Sequence, residues 1–412
     1  MNDRAINVPM VPVIPSIEES YSTRGAIIVP VTRNKISLPG MTPGTSRSIA
    51  WLRFGKSGAR PKVYMQAAIH ANELPGAMLL HHLMPMLAEA ERVPSRIKGE
   101  IVIVPTVNPI GQSQLVGNSH LGRYDLQSRD NFNRNWLDLS GAVAEQIGAN
   151  LGRDAAANVR AIRKSAVAAL AAMQPLTELQ AMRVEIMKLS IDADIVLDLH
   201  CDVEAALHLF TAKRDLGGPA EELAADLGVV STMYNDPYPQ ALTFSGVNGA
   251  LWARLAEKFP NAAIPQACFS TTVELRSEHD VNHETGKSDA RNMYRYLVRK
   301  GFIEGDASPL PRLKSSPTPI SGMDVGYCPS SGFVVYLVNA GARVKNGQPI
   351  CEIIDPADPR GAAGRTQMLS RTDGILFSRR RGGALAWPGM VAYRIAGPKP
   401  LAHRTGMSGL DD

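Results

Sequence analysis

KVYMQAAIHANELPG, residues Lys62–Gly76, is the stretch on which the reading of the fold turns. Its first eight residues are an apolar, strand-like run. His70 and Glu73 follow at i and i+3, then Pro75 and Gly76, and a helical pattern runs from Glu73 to about Ala90. A strand therefore turns into a helix at an imidazole and a carboxylate. At that spacing the two side chains can converge on one cation from a single turn. The HxxE pattern alone is common by chance; its place at a strand terminus is what gives it weight.

Outward from this junction, strand-like runs alternate with helix-like ones. The strand candidates are AIIVPV (26–31), SIAWLRF (48–54), EIVIVPTV (100–107), ADIVLDLH (193–200), HLFTAK (208–213) and CFSTTVEL (268–275). Helical patterns lie at 143–173, 178–190, 219–227, 247–259 and 287–300. Such alternation predicts an α/β sandwich with a largely parallel or mixed sheet. Ligand sites in these folds sit at the carboxyl ends of the strands. The Ala-rich segment at about 141–190 exceeds a simple crossover and reads as an inserted helical hairpin.

The pattern changes after residue 303. EGDASPLPRLKSSPTPIS (304–321) carries four prolines without periodicity and reads as an interdomain linker. Beyond it, SGFVVYLVNAGARVKNGQPI and DGILFSRRRGGALAWPGMVA form a weak repeat. Gly332 and Gly347 are fifteen residues apart, as are Gly374 and Gly389. Two glycine-hinged copies predict a small all-β, pseudo-twofold sandwich. It resembles the barrel-sandwich hybrid of biotinyl and lipoyl carrier domains, but no lysine sits at a hairpin tip in an attachment context. A non-enzymatic carrier or binding module is thus the weaker reading, and a structural or lid-like role the better one. The expected domains are 1–303 (catalytic), 304–321 (linker), 322–398 (β domain) and 399–412 (tail).

Composition narrows the classes. The 412 residues are 44% hydrophobic and 20% charged, as in folded globular proteins, and no apolar run is long enough for a membrane helix. The N-terminus has no uninterrupted apolar h-region, so no signal peptide is expected. Lys and Arg exceed Asp and Glu by 44 to 39, and the densest basic cluster, Arg379 to Arg381, reads as a solvated strand face. With 6% aromatic residues and no long basic stripe, nucleic acid is not an expected partner, and neither is a membrane. Cys201, Cys268, Cys328 and Cys351 form no CxxC pair, which fits a reducing, cytoplasmic setting. Cys201 has no free histidine partner and reads as a buried thiol. The oligomeric state stays open, a homo-oligomer included.

Three further segments carry chemistry. IVLDLHCD (195–202) ends an apolar strand with Asp198 and His200 on one side. His200 can be a third metal ligand, and Asp198 can orient it. GRYDLQSRDNFNRNW (122–136) is dense in arginine and asparagine and suits a carboxylate or a developing oxyanion. STTVELRSEHD (270–280) places Glu274 at the inward end of an apolar strand, where an acid is costly unless it meets a metal, a partner or water. Two histidines and a glutamate with an open fourth position form a zinc ligand set known from carboxypeptidase A and thermolysin.

HANE, NPIG (108–111), GRYD, NFNRNW, DLH and VELR occur in this order. In that arrangement the chain resembles the succinylglutamate desuccinylase and aspartoacylase family of the zinc carboxypeptidase clan. The resemblance covers about residues 45 to 300 plus the C-terminal β module. It implies one Zn²⁺ per chain on His70, Glu73 and His200, with Glu274 as general base. Arg123 corresponds to the arginine that polarises the scissile carbonyl. Three extra residues separate it from the Asn-Arg pair relative to aspartoacylase, which leaves Arg129 as a competitor. Asn133 and Arg134 correspond to the pair that holds the substrate's α-carboxylate. Arg276 stands where better-known members often have glycine; it is counted with the substrate-binding residues and leaves the acyl specificity open.

The expectation is a cytoplasmic zinc amidohydrolase that cleaves the N-acyl group from a small N-acyl amino acid. Its alternative within the clan is a carboxypeptidase acting on short peptides. Which acyl group and which amino acid are involved does not follow from the sequence.

Overall fold

The computed structural model describes residues 32–404, Gly382 excepted. The strand candidate at 26–31 lies outside the described residues. Nine strands form one mixed sheet: β1 (Thr32–Leu38), β2 (Arg47–Phe54), β3 (Lys62–Ala67), β4 (Glu100–Val104), β5 (Ile195–Asp202), β6 (His208–Ala212), β7 (Ser231–Asn235), β8 (Phe269–Ser277) and β9 (Thr318–Pro319). Their order is β1-β2-β4-β3-β5-β8-β6-β7-β9. The central strands β4, β3, β5 and β8 run parallel to their neighbours within this group. β6 lies antiparallel to β8, and β1 and β2 add antiparallel pairs at one side.

Period-two alternation sends the strand side chains to two cores. Val63, Met65, Ala67, Ile195, Leu197 and Leu199 face α1 (Pro75–Glu91), α5 (Pro219–Leu227) and α7 (His283–Arg299). Tyr64, Val102 and Val196 face the other layer, α2 (Ser140–Ile147), α3 (Ala155–Ala171), α4 (Glu178–Ser190) and α6 (Phe244–Lys258). Leu83 of α1 is wholly buried, and a cavity left by Leu83→Ala would cost about 2–5 kcal/mol. The Ala-rich segment is therefore more than a hairpin set onto the body: its Val143, Ile162, Leu170, Met182 and Ile186 build one face of the sandwich. The helical pattern at 143–173 is also interrupted. α2 passes into a 3₁₀ turn at Gly148–Asn150, and Asp154 restarts the chain as α3 by accepting from the Ala157 N–H.

The segment at 304–321 is not a free tether. Thr318–Pro319 joins the sheet edge parallel to β7, and the Ser315 hydroxyl donates to the Val230 carbonyl at 2.7 Å. Two residues are too few for a periodic signal, which is why the prolines dominated the reading.

The C-terminal part contains β10 (Met323–Tyr327), β11 (Gly332–Tyr336), β12 (Arg343–Val344), β13 (Pro349–Ile354), β14 (Thr366–Leu369), β15 (Gly374–Arg379), β16 (Leu385–Ala386) and β17 (Val391–Ala396). They make two antiparallel sheets, β10-β17-β15-β12 and β14-β13-β11-β16, with no closed barrel among the described residues. The repeat is visible in this pairing. Each copy supplies a long strand, a short strand and a long strand, and each short strand crosses to the other copy: β12 pairs with β15, and β16 with β11. A Cβ on Gly332 would come within 2.5 Å of the Ile354 carbonyl oxygen, and one on Gly374 within 2.3 Å of that of Ala396. Gly347 and Gly389 both turn at positive φ, 81° and 87°. The equivalent glycines thus meet equivalent backbone demands. The α/β body and this module pack as one compact unit.

Candidate functional site

The carboxyl ends of the adjacent strands β3, β5 and β8 bring the chemistry together. After Ala67 the chain leaves the sheet through Ala68 at φ 60° and turns tightly, with the Glu73 N–H donating to the His70 carbonyl at 2.9 Å. Pro75 then opens α1. His70 and Glu73 face His200 at the end of β5, and Glu274 on β8 is the register partner of His200.

His70 Nδ1 lies 2.8 Å from Glu73 Oε1, and His200 Nδ1 lies 2.8 Å from Glu73 Oε2. All three residues are buried, and one donor atom from each lies within 4.8 Å of the others. The outward nitrogens are held too: His70 Nε2 donates to Asn131 Oδ1 at 2.9 Å, and His200 Nε2 to Asp198 Oδ2 at 2.8 Å. Both Nδ1–carboxylate contacts are at hydrogen-bond distance, so a shared proton or a cation can sit between each imidazole and Glu73. With Nε2 already donating outward, a cation bound there would take the Nδ1 lone pairs in place of those protons. Burial works to raise the Glu73 carboxyl, but His70 and His200 outweigh it and hold it below the usual range. The donor set therefore fits a divalent cation such as zinc, with three protein ligands and an open position.

Glu274 is half-buried, and its Oε2 is shielded from solvent without a hydrogen-bond partner. Burial pushes its carboxyl up to about 8, with Glu73 and Asp202 adding to the rise and His200 and Arg123 opposing it. Cys201 also faces the cavity, but burial and the surrounding carboxylates push its thiol well above the usual range, so it stays protonated.

Arg123 is brought to the same centre, with Nη1 3.3 Å from Glu73 Oε1. Its loop lies against the ligand turn: Ala71 N–H donates to the Gly122 carbonyl at 2.8 Å, and a Cβ on Gly122 would meet the Asn72 nitrogen at 2.4 Å. The competitor Arg129 is exposed, turns at φ 63° and does not line the cavity. Arg134 does line it, with Nη1 donating to the Asn133 carbonyl at 3.0 Å. Asn133 is buried and already engaged: Nδ2 donates to Asp198 Oδ2 at 3.3 Å, alongside His200 Nε2, while Oδ1 accepts from the Phe244 N–H. It ties the start of α6 to the histidine as much as it faces the cavity.

Arg276 is not brought to the site. The register of β8 against β5 shifts between Glu274 and Ser277, Arg276 turns at φ 65°, and its guanidinium pairs with Asp289 of α7. It does not line the cavity, and the substrate-binding expectation placed on it is corrected. The alternation rule fails because the strand is irregular there.

These groups line a cavity of about 660 Å³ whose far wall comes from the C-terminal module, through Tyr327, Arg379, Arg380, Trp387 and Arg394. The wall is stitched to the body. Glu204–Ala205, just past β5, pair antiparallel with Arg379 and Ser378 of β15. The Ser378 hydroxyl donates to Asp202 Oδ2 at 2.5 Å, and Arg379 Nε donates to Glu204 Oε2 at 2.8 Å. Arg379, half-buried and paired with Glu204, thus departs from the solvated-face reading, while Arg380 and Arg381 are exposed as that reading expects. Asn131 and Asp202 were also missed; Asn131 lies within NFNRNW, while nothing local marks Asp202.

The model of the succinylglutamate desuccinylase/aspartoacylase catalytic domain matches residues 59–298. Among solved structures, a succinylglutamate desuccinylase/aspartoacylase from Shewanella frigidimarina superposes with a TM-score of 0.78 at 19% identity, covering 90% of this chain and 98% of that one. A family protein from Shewanella amazonensis gives 0.76 at 23% identity, with 89% and 98% covered. The product-bound ectoine utilization protein EutE (DoeB) from Ruegeria pomeroyi gives 0.61 at 15%, with 89% and 95% covered. At these identities the likeness is one of fold. No curated protein matches the sequence.

Proposed function

The chain belongs to the succinylglutamate desuccinylase/aspartoacylase family, and we propose that it is a zinc-dependent amidohydrolase that removes the N-acyl group from a small N-acyl amino acid. One observation carries this reading. The convergent donors of His70, Glu73 and His200 share a cavity with a shielded carboxylate, Glu274, that has an unpartnered oxygen.

Zinc on those three residues would supply Lewis acidity, acidifying water and polarising a carbonyl oxygen. Glu274, whose carboxyl a cation bound beside it would bring back towards ionisation, takes the proton of the attacking water and passes it to the departing amine. Arg123 offers a guanidinium to the oxyanion that develops on the scissile carbonyl, a contribution worth roughly 3 to 4 kcal/mol per donor in related chemistry. Arg134 pairs with the α-carboxylate of the amino acid, and Asn133 sets the position of that clamp against His200. The wall from the C-terminal module narrows the cavity and favours a small acyl amino acid over a long peptide.

The test is an amine-release screen of N-acetyl and N-succinyl amino acids, beside dipeptides and longer peptides with free carboxyl termini, using zinc-loaded protein. Release from acyl amino acids is expected. Turnover confined to peptides would replace this reading with a carboxypeptidase.

A further inference from the structure

A single chain of buried polar side chains runs along β3 and β5 and ends on His200. Tyr64, Gln66 and Asp198 are each fully buried. Tyr64 and Gln66 alternate onto one face of β3, and Gln66 is the register partner of Asp198. The Tyr64 hydroxyl donates to Gln66 Oε1 at 2.8 Å, and Gln66 Nε2 donates to Asp198 Oδ1 at 2.8 Å. The other oxygen, Asp198 Oδ2, receives His200 Nε2 at 2.8 Å and Asn133 Nδ2 at 3.3 Å.

Charge and hydrogen-bond sense fix the direction of the chain. A flipped Gln66 would set its carbonyl oxygen against the Asp198 carboxylate, acceptor against acceptor. Burial, with the Asp198 charge nearby, pushes the Tyr64 hydroxyl well above its usual range, so it remains a donor. A glutamine and a carboxylate in a core are expensive unless every group is satisfied. Here the two core-side residues use their polar ends on each other and on Asp198. His70 has a shorter arrangement, with Asn131 on its outer nitrogen.

We propose that Gln66 and Tyr64 are positioning residues for the cation centre: they hold Asp198 so that His200 keeps its proton on Nε2 and presents Nδ1 inward. This rests on the reading of His70, Glu73 and His200 as cation ligands. It predicts that changes two steps (Gln66) and three steps (Tyr64) from a ligand, on a strand that carries none, weaken the hold on metal.

The test is the zinc dissociation constant, measured by chelator competition on wild type, Gln66→Met and Tyr64→Phe, with the urea midpoint of each metal-free protein measured alongside. Partners at this remove typically change metal affinity about 10- to 100-fold. Gln66→Met should weaken zinc by that range, and Tyr64→Phe less but in the same direction. A shifted urea midpoint with unchanged zinc affinity in Gln66→Met would make the chain mere core filling and overturn the proposal. If Gln66→Met does not fold, Tyr64→Phe, which deletes one oxygen, decides: unchanged affinity there overturns it. A wild-type protein that binds no zinc removes the cation reading itself, and this inference with it.

Discussion

Glu274 and His200 are register partners on neighbouring parallel strands, so the shielded carboxylate and a histidine of the donor set lie side by side towards the carboxyl ends of two central strands. Two groups with opposite requirements are thereby held together. His200 is buried among Asp198 and Glu73 and favours positive charge, while the carboxyl of Glu274 is kept from ionising easily. Under the proposed function, that neighbour relation is what would set a cation ligand beside the group that accepts the proton.

Elemental analysis should find one zinc per chain in wild type. In His200→Ala the metal should be largely lost while the circular dichroism of the fold persists. Full zinc retention in that variant would move the site elsewhere.

Glu274→Gln keeps shape and removes the proton acceptor. Loss of a general base costs about 10²- to 10⁴-fold, so kcat should collapse while zinc content and substrate affinity hold. Near-native turnover would show that another carboxylate takes the proton.

The same residue makes a prediction for the metal-free protein. Its folded pKa is raised from 4.5 to about 8, so the folded state binds more protons than the unfolded one between those values. Stability from this group is fully present below pH 4.5 and is lost as pH rises through 8. Wild type should therefore lose more thermal stability than Glu274→Gln between pH 5 and pH 8 on metal removal. Zinc should shrink the difference, because a cation favours the ionised form. Parallel melting curves for the two proteins would contradict the raised pKa.

Arg134 can make a planar, two-pronged contact with a carboxylate that lysine cannot reproduce. Losing a desolvated charged contact of this kind costs about 2 to 5 kcal/mol. Arg134→Ala should raise KM for the substrate and lose most of the preference for a free carboxylate over its carboxamide analogue. Equal discrimination by both proteins would place the anchor elsewhere.

The parts of the site legible in sequence are those where local rules hold. His70, Glu73 and His200 sit where apolar strands end, and the alternation that exposes Asp198 and His200 to one side survives folding. Arg276 was misread because β8 becomes irregular after Glu274, which no composition signal announces. Arg379 of the far wall was misread for a different reason. The surroundings of Arg379 are set by a partner about 175 residues away in sequence, Glu204, so a side chain that looks solvated locally is held at the cavity wall, while Arg380 and Arg381 stay exposed. The roles of Gln66 and Asn131 depend on cross-strand and loop contacts with no spacing rule to reveal them.

The stitching of the C-terminal wall to Glu204–Ala205 also bears on how a molecule gets in and out. Swinging that wall aside would break the strand pairing with β15 and the Ser378–Asp202 and Arg379–Glu204 contacts together. The wall is therefore tied to the body at several points that would have to let go together. Of the side chains this wall presents to the cavity, Arg380 and Trp387 are exposed, with the guanidinium over the ring at 6.0 Å from its centre, and they can re-orient without any of those contacts being broken.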